Sequence, residues 1–246
     1  MATQSQEAST QAQDVSRRQE RAQRILDATA ALILRWGYNK TTVDDIARQA
    51  GVAKGTIYLH WKTREALFKA LMQREKLALT VDVKRRVTAD PAGATLRGLL
   101  KHSALALMQR PLLKAVLLRD MEVIGKLAHS EHRSAAYIER LAGFTTYLEL
   151  LRDHELVRTD LSLRAQVYMA SAIFMGFFLV APLMPGEFTL SDEELADLLA
   201  ETVHCTLESG RSVASDEVQT VSHAFMQYLN RAMASAQEQF QQGLEA

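Results

Sequence analysis

Apolar residues recur at helical spacing along nearly the whole chain, and no strand-like alternation is sustained. Only 4 prolines interrupt 246 residues. The periodic segments predict helices over about 16–36, 64–88, 92–109, 111–128, 131–155, 162–181, 192–209 and 214–241. Asp90-Pro91, Arg110-Pro111 and the run Pro182 to Gly186 mark breaks between them. In the first helix, Ile25, Ala28, Leu32 and Trp36 fall on one side, and Gly37 ends it. The pattern implies an all-α protein.

Residues 41–61, TTVDDIARQAGVAKGTIYLHW, read as two short helices around a tight turn. Thr42 and Asp45 have capping-box spacing. Val43, Ile46 and Ala47 form an apolar side, Gly51 suits a left-handed turn, and Ile57 points the second helix inward. Lys54, Thr56, Tyr58 and His60, with Lys62 just beyond, are the expected outward donors, suited to phosphates and base edges. This is a helix-turn-helix, a shape that places one helix in a DNA major groove. The helix over 16–36 supplies a third wall, with Arg17, Arg18, Arg21 and Arg24 crowding its start. Basic groups there oppose the helix dipole, and a phosphate backbone would relieve them.

Residues 17–69 resemble the DNA-binding domain of the tetracycline-repressor (TetR) family, on a long first helix followed by GYNKTTVDDIARQAGVAKGTIYLHWKTREALF. Two departures stand out. Trp61 occupies a place where the family usually has phenylalanine, and Lys62-Thr63-Arg64 replaces the more usual Ser-Lys or Asn-Lys pair. The resemblance implies a cytoplasmic homodimer, not an enzyme, that binds a palindromic double-stranded DNA operator and represses transcription until a small molecule releases it. By analogy, Thr42, Tyr58, His60 and Lys62 hold phosphates, while Lys54, Gly55 and Thr56 approach base edges or the adjoining backbone. It also implies a helix-turn-helix domain over 16–63 and a larger helical ligand-binding and dimerisation domain over 64–246; the polar tail over 1–15, rich in Gln, Ser, Thr and Ala, offers no core and is expected to be disordered.

Charge agrees with that division. Residues 15–76 carry 13 Lys or Arg against 6 Asp or Glu, while residues 77–246 carry 16 against 21. The neutral total hides a basic end suited to DNA and an acidic remainder. No signal peptide precedes the first helix. The single cysteine, Cys205, offers no disulfide framework and is expected to be a small buried residue.

Residues 165–186 carry no charge. A membrane span is one reading of such a run. A helix buried on all sides of a soluble protein is the other, favoured by Gln166, Ser171, several alanines and Pro182. In a TetR-like chain this helix and 192–209, with its stripe Leu195, Leu198, Leu199, Val203 and Leu207, would form a four-helix dimer interface, with no membrane involved. The helix 214–241, an addition beyond the shortest family members, carries a stripe from Val218 to Phe240 that must lie on its own subunit or on the partner; an extension of the dimer interface is the favoured reading.

A pocket for an unknown small-molecule effector is expected among the helices 92–155. Met108, Leu112, Leu117, Met121, Phe144, Tyr147 and Tyr168 are its candidate lining. Methionines adapt to apolar ligands, and tyrosines add polar tips. Arg119, Asp120 and Glu122 lie beside apolar positions on one helix, and whichever of them is buried would tell whether the ligand is anionic or cationic. No cofactor is implied. The group His129, Glu131, His132 lacks metal-ligand spacing, and neither a Gly-rich phosphate loop nor a nucleophile elbow occurs. Two other readings remain: an all-helical enzyme or carrier with an incidental helical hairpin, and a regulator tethered to a membrane by 165–186.

Overall fold

The computed structural model describes residues 2–90, 92–118, 120, 135–211 and 215–245. Within them the chain forms α1 (Ala2–Trp36), α2 (Val43–Ala50), α3 (Lys54–His60), α4 (Arg64–Ala89), α5 (Leu96–Met108) and α6 (Pro111–Leu117). Then come α7 (Ala135–Asp153), α8 (Leu163–Val180), α9 (Asp192–Leu207) and α10 (Ser215–Glu245). Two short 3-10 turns, Ala181–Leu183 and Gly186–Phe188, fill the proline-rich stretch after α8. Among the described residues there is no strand, only an isolated bridge between Val157 and Glu208.

The helices start and stop where side chains serve the backbone. The hydroxyls of Thr42, Thr63, Thr95 and Ser162 accept from backbone amides at the starts of α2, α4, α5 and α8. At Ser191 the full reciprocal box forms with Glu194. Gly51 ends α2 with φ 66° and ψ 38°, its N–H donating to the carbonyls of Ala47 and Arg48. That left-handed geometry favours glycine because it has no Cβ. Across the stretch expected as a polar tail, 1–15, the backbone of α1 runs from Ala2 onward. Ala, Gln and Glu cost little in a helix, and neither Gly nor Pro interrupts them. Trp36 departs from the expected inner face: it is exposed, with the Arg35 guanidinium 5.7 Å from its ring.

Two apolar cores result. The lower joins α1, α2 and α3 through Ile25, Leu26, Ile46, Ile57 and Trp61, with Leu67, Phe68 and Leu71 from α4. The upper gathers Val83, Leu99, Leu148, Leu151, Phe178, Leu199, Val203 and Phe225. α4 therefore belongs to both, and the division lies inside it, near Leu71, rather than at residue 63 or 64. Asp82, nearly buried on α4, fixes the next turn of chain. It receives Arg85, Arg86 (3.2 Å) and Arg110 (3.1 Å), and Arg110 also donates to the carbonyls of Ala78 and Ala106.

Two expectations about packing are corrected. Leu195, Leu199, Val203 and Leu207 of α9 do not face outward for a partner; they are buried against α5 within the same chain, and of the stripe only Leu198 is exposed. α10 does not extend the α8–α9 layer. It lies along α4, touching α7 as well, because its stripe meets both cores.

Candidate functional site

The lower core presents α3 to solvent. Ile57, His60 and Trp61 share the inner face, three and four residues apart, as helix geometry requires. Lys54, Gly55, Tyr58 and Leu59 lie outside, with Lys62 beside them, and Thr56 is half-buried. Thr42 is exposed at the start of α2, where its hydroxyl accepts from the Asp45 N–H at 3.2 Å and donates to the Asp45 carboxylate at 2.5 Å. The Thr42 hydroxyl and, beyond it, Arg48 hold the Asp45 carboxyl below its usual range. Lys54 pairs with Asp44 at 2.9 Å, and that bond raises its ammonium above the usual lysine range.

His60 is the exception among the expected contacts. It is only 5% exposed and its ring lies 5.3 Å from that of Trp61. Desolvation, then the charges of Arg18 and Arg21, push its imidazole below its ordinary pKa. It therefore supports α3 from behind rather than standing at the outer surface. Leu59 was missed by sequence reasoning, although it is 78% exposed. An apolar side chain on a groove-reading helix can meet a thymine methyl. Its signal was its position between Ile57 and Trp61, off the buried period.

Behind α3, Trp61 is fully buried, and its indole N–H donates to the Gly243 carbonyl of α10 at 2.8 Å. The Arg64 guanidinium donates to the Tyr38 carbonyl and lies 4.3 Å from the Tyr38 ring, locking α4 to the turn after α1.

A cavity of about 550 Å³ opens in the upper domain between α4, α5, α7 and α10. Leu79, Val83, Leu99, Leu150 and Leu229 give it apolar walls, while Lys76, Thr80, Ser103, Gln227, Arg231 and Gln239 supply polar groups. Of the expected lining, it contains Tyr147, whose hydroxyl donates to the Ala94 carbonyl and whose burial raises its pKa well above the usual tyrosine value. The others sit elsewhere. Met108, Leu117 and Phe144 pack on the upper core and Leu112 joins the lower. Tyr168 is exposed on α8, one helix away from the cavity. Met121, Arg119, Glu122 and the His129–His132 group lie outside the described residues. α10, which supplies nearly half the wall, was not expected to line it at all.

Among the described residues no group of three or more His, Cys, Asp or Glu could hold a metal. Cys205, expected to be buried, is exposed on α9, with its thiol 3.2 Å from Glu201. That hydrogen bond, together with desolvation, raises its pKa. Among the described residues one segment, Leu163–Leu183, is long and apolar enough to cross a membrane, with mean hydropathy 1.7 and little of it buried in the single chain.

Residues 25–71 match the family described as bacterial regulatory proteins, tetR family. Over 69 residues the chain is 42% identical to the fatty acid metabolism regulator protein of Bacillus subtilis (strain 168), covering 26% of this chain and 36% of that protein. Over 116 residues it is 30% identical to the HTH-type transcriptional regulator AcrR of Shigella flexneri, covering 45% and 54%. The chain thus matches between about a third and just over half the length of these curated relatives. The fold extends further. SmeT, the repressor of the Stenotrophomonas maltophilia multidrug efflux pump SmeDEF, superposes with a TM-score of 0.59 over 79% of this chain and 94% of its own, at 22% identity.

Proposed function

We infer that this chain, which belongs to the tetR family of bacterial regulatory proteins, is a dimeric, sequence-specific DNA-binding regulator. It represses transcription from a palindromic operator in the cytoplasm until a small apolar or amphipathic molecule enters its upper domain. The observation that carries the reading is the outer face of α3. A packed three-helix head holds Lys54, Gly55, Tyr58 and Leu59 outward, with Thr42 and Lys62 flanking them. Thr42, Tyr58 and Lys62 suit phosphates, and Lys54, Gly55 and Leu59 suit base edges or the backbone beside them.

The cavity supports an effector of drug-like size, since about 550 Å³ lies within the range of small-molecule sites. Homodimerisation is supported by a band of exposed apolar side chains. Leu179, Val180, Leu183, Met184, Phe188, Leu190 and Leu198 gather on α8, the turns after it, and α9. A second copy covers such a band better than a bilayer does. The opposite face of α8 is already tied into the domain, with Arg152 donating to the buried Gln166 at 2.7 Å.

Selection of genomic fragments by the purified protein tests the reading. The expected product is a palindrome whose half-site centres lie about 34–36 Å apart, bound with steep salt dependence. Equal affinity for random DNA would overturn it.

A further inference from the structure

α10 meets both halves of the molecule. Its 31 residues span about 46 Å at 1.5 Å per residue. Val221, Phe225 and Leu229 enter the upper core, and the segment from Ala224 to Gln239 walls the cavity. Phe240 then enters the lower core, and Leu244 packs against it. Gly243 lies flush on α4: a Cβ there would stand 2.1 Å from the Gln73 Oε1 and 3.4 Å from the Ala70 Cα. Gly243 is in the last turn of α10, where carbonyls lack intrahelical donors, and the Trp61 indole supplies one. Trp61 itself closes α3, its N–H donating to the Ile57 carbonyl at 2.8 Å. A phenylalanine at 61 would offer α10 no donor. The indole and the added helix therefore explain each other.

We propose that α10 is a coupling arm, through which occupancy of the cavity between α4, α5, α7 and α10 resets the seat of Gly243 and Phe240 against Trp61, and so the aim of α3. The path is short. It runs from Tyr228 and Ala232 at the cavity, along one helix, to the residue that ends the recognition helix. The proposal rests on the cavity being the effector site.

Gly143 allows a test that needs no ligand. It faces α10 across the cavity wall, where a Cβ would stand 2.5 Å from the Tyr228 ring. In full-length protein, Gly143→Leu should drive Tyr228 and α10 outward, as an occupant would. With Trp36→Phe leaving Trp61 as sole reporter, the expected result is a red shift of Trp61 emission. Affinity for a genomic fragment selected by the wild type should fall at least tenfold. In a Trp61→Phe, Phe240→Ala background the same substitution should change affinity by less than twofold. Should Gly143→Leu fail to fold, Ala232→Phe fills the cavity from the α10 side, with the same readouts. An equal loss of affinity in both backgrounds, or a folded variant with unchanged emission and affinity, would overturn the arm. A responsive variant alongside a ligand screen that finds nothing would count against the effector site and not against the arm.

Discussion

Lys54 stands on the outer face of α3 with its ammonium 2.9 Å from the Asp44 carboxylate, both well exposed. A phosphate or base edge must compete with Asp44 for that charge, and Asp44 itself repels the DNA backbone. Asp44→Asn should therefore tighten binding several-fold at low salt and leave the melting temperature unchanged, which titration of a selected fragment and a thermal scan would check. Lys62→Ala should act in the opposite sense, weakening all sequences alike and lowering the salt slope by about one. A change confined to one operator variant would show instead that Lys62 reads a base. The exposure of these positions was legible because caps, turn and apolar positions fix the head together. Thr42, Lys54, Gly55, Tyr58 and Lys62 are all exposed as expected. His60 was misplaced because taking every second residue as outward follows the period of a strand. At 3.6 residues per turn it falls with Ile57 and Trp61 on the inner face.

Helix identity followed closely from apolar spacing, but helix partners did not. The stripe of α9 is as regular as expected, yet regularity states only that a face is buried, not against what. α5 takes Leu199 and Val203, and the band left outside is Leu198 with Leu179 to Leu190. The same limit applied to α10, whose long stripe could have met a second subunit and instead bridges two cores of its own chain. If the exposed band is the dimer seam, Leu198→Glu combined with Leu183→Glu should give a folded monomer. Circular dichroism should be unchanged, sedimentation should report half the mass, and affinity for a palindrome should collapse toward that of a half-site. A dimer that survives both charges would place the seam elsewhere. The cavity was less legible than either helix, because a lining depends on which faces diverge, and α10 was not in view as a neighbour of α4 and α7.

At the scale of the whole molecule, the two cores carry ionisable groups that respond to acid in different ranges. In the head, desolvation and the charges of Arg18 and Arg21 depress His60 below its ordinary 6.5. Below that value the unfolded chain takes up a proton that the folded head resists, so stability falls as pH drops from about 6.5 toward the folded pKa. In the upper domain Asp82 and Asp90 behave differently. Burial raises each, but the partners outweigh it: Arg85, Arg110 and Arg86 for Asp82, and His102, at 2.7 Å, for Asp90. Both end below the ordinary 3.8, so their contribution is complete above that value and is lost only as pH falls through the lower folded pKa. Acidification should therefore loosen the DNA-binding head first. A titration from pH 7 downward in the Trp36→Phe variant should show Trp61 emission changing once pH falls below 6.5, while helicity holds until pH falls below 3.8. His60→Gln should remove the early phase, and Asp82→Asn should leave it in place while costing about 3 kcal/mol of stability at neutral pH, because Arg110 would lose its buried partner. A single transition in which emission and helicity change together would mean that α4 and α10 bind the two cores into one cooperative unit, and would refute the early release of the head.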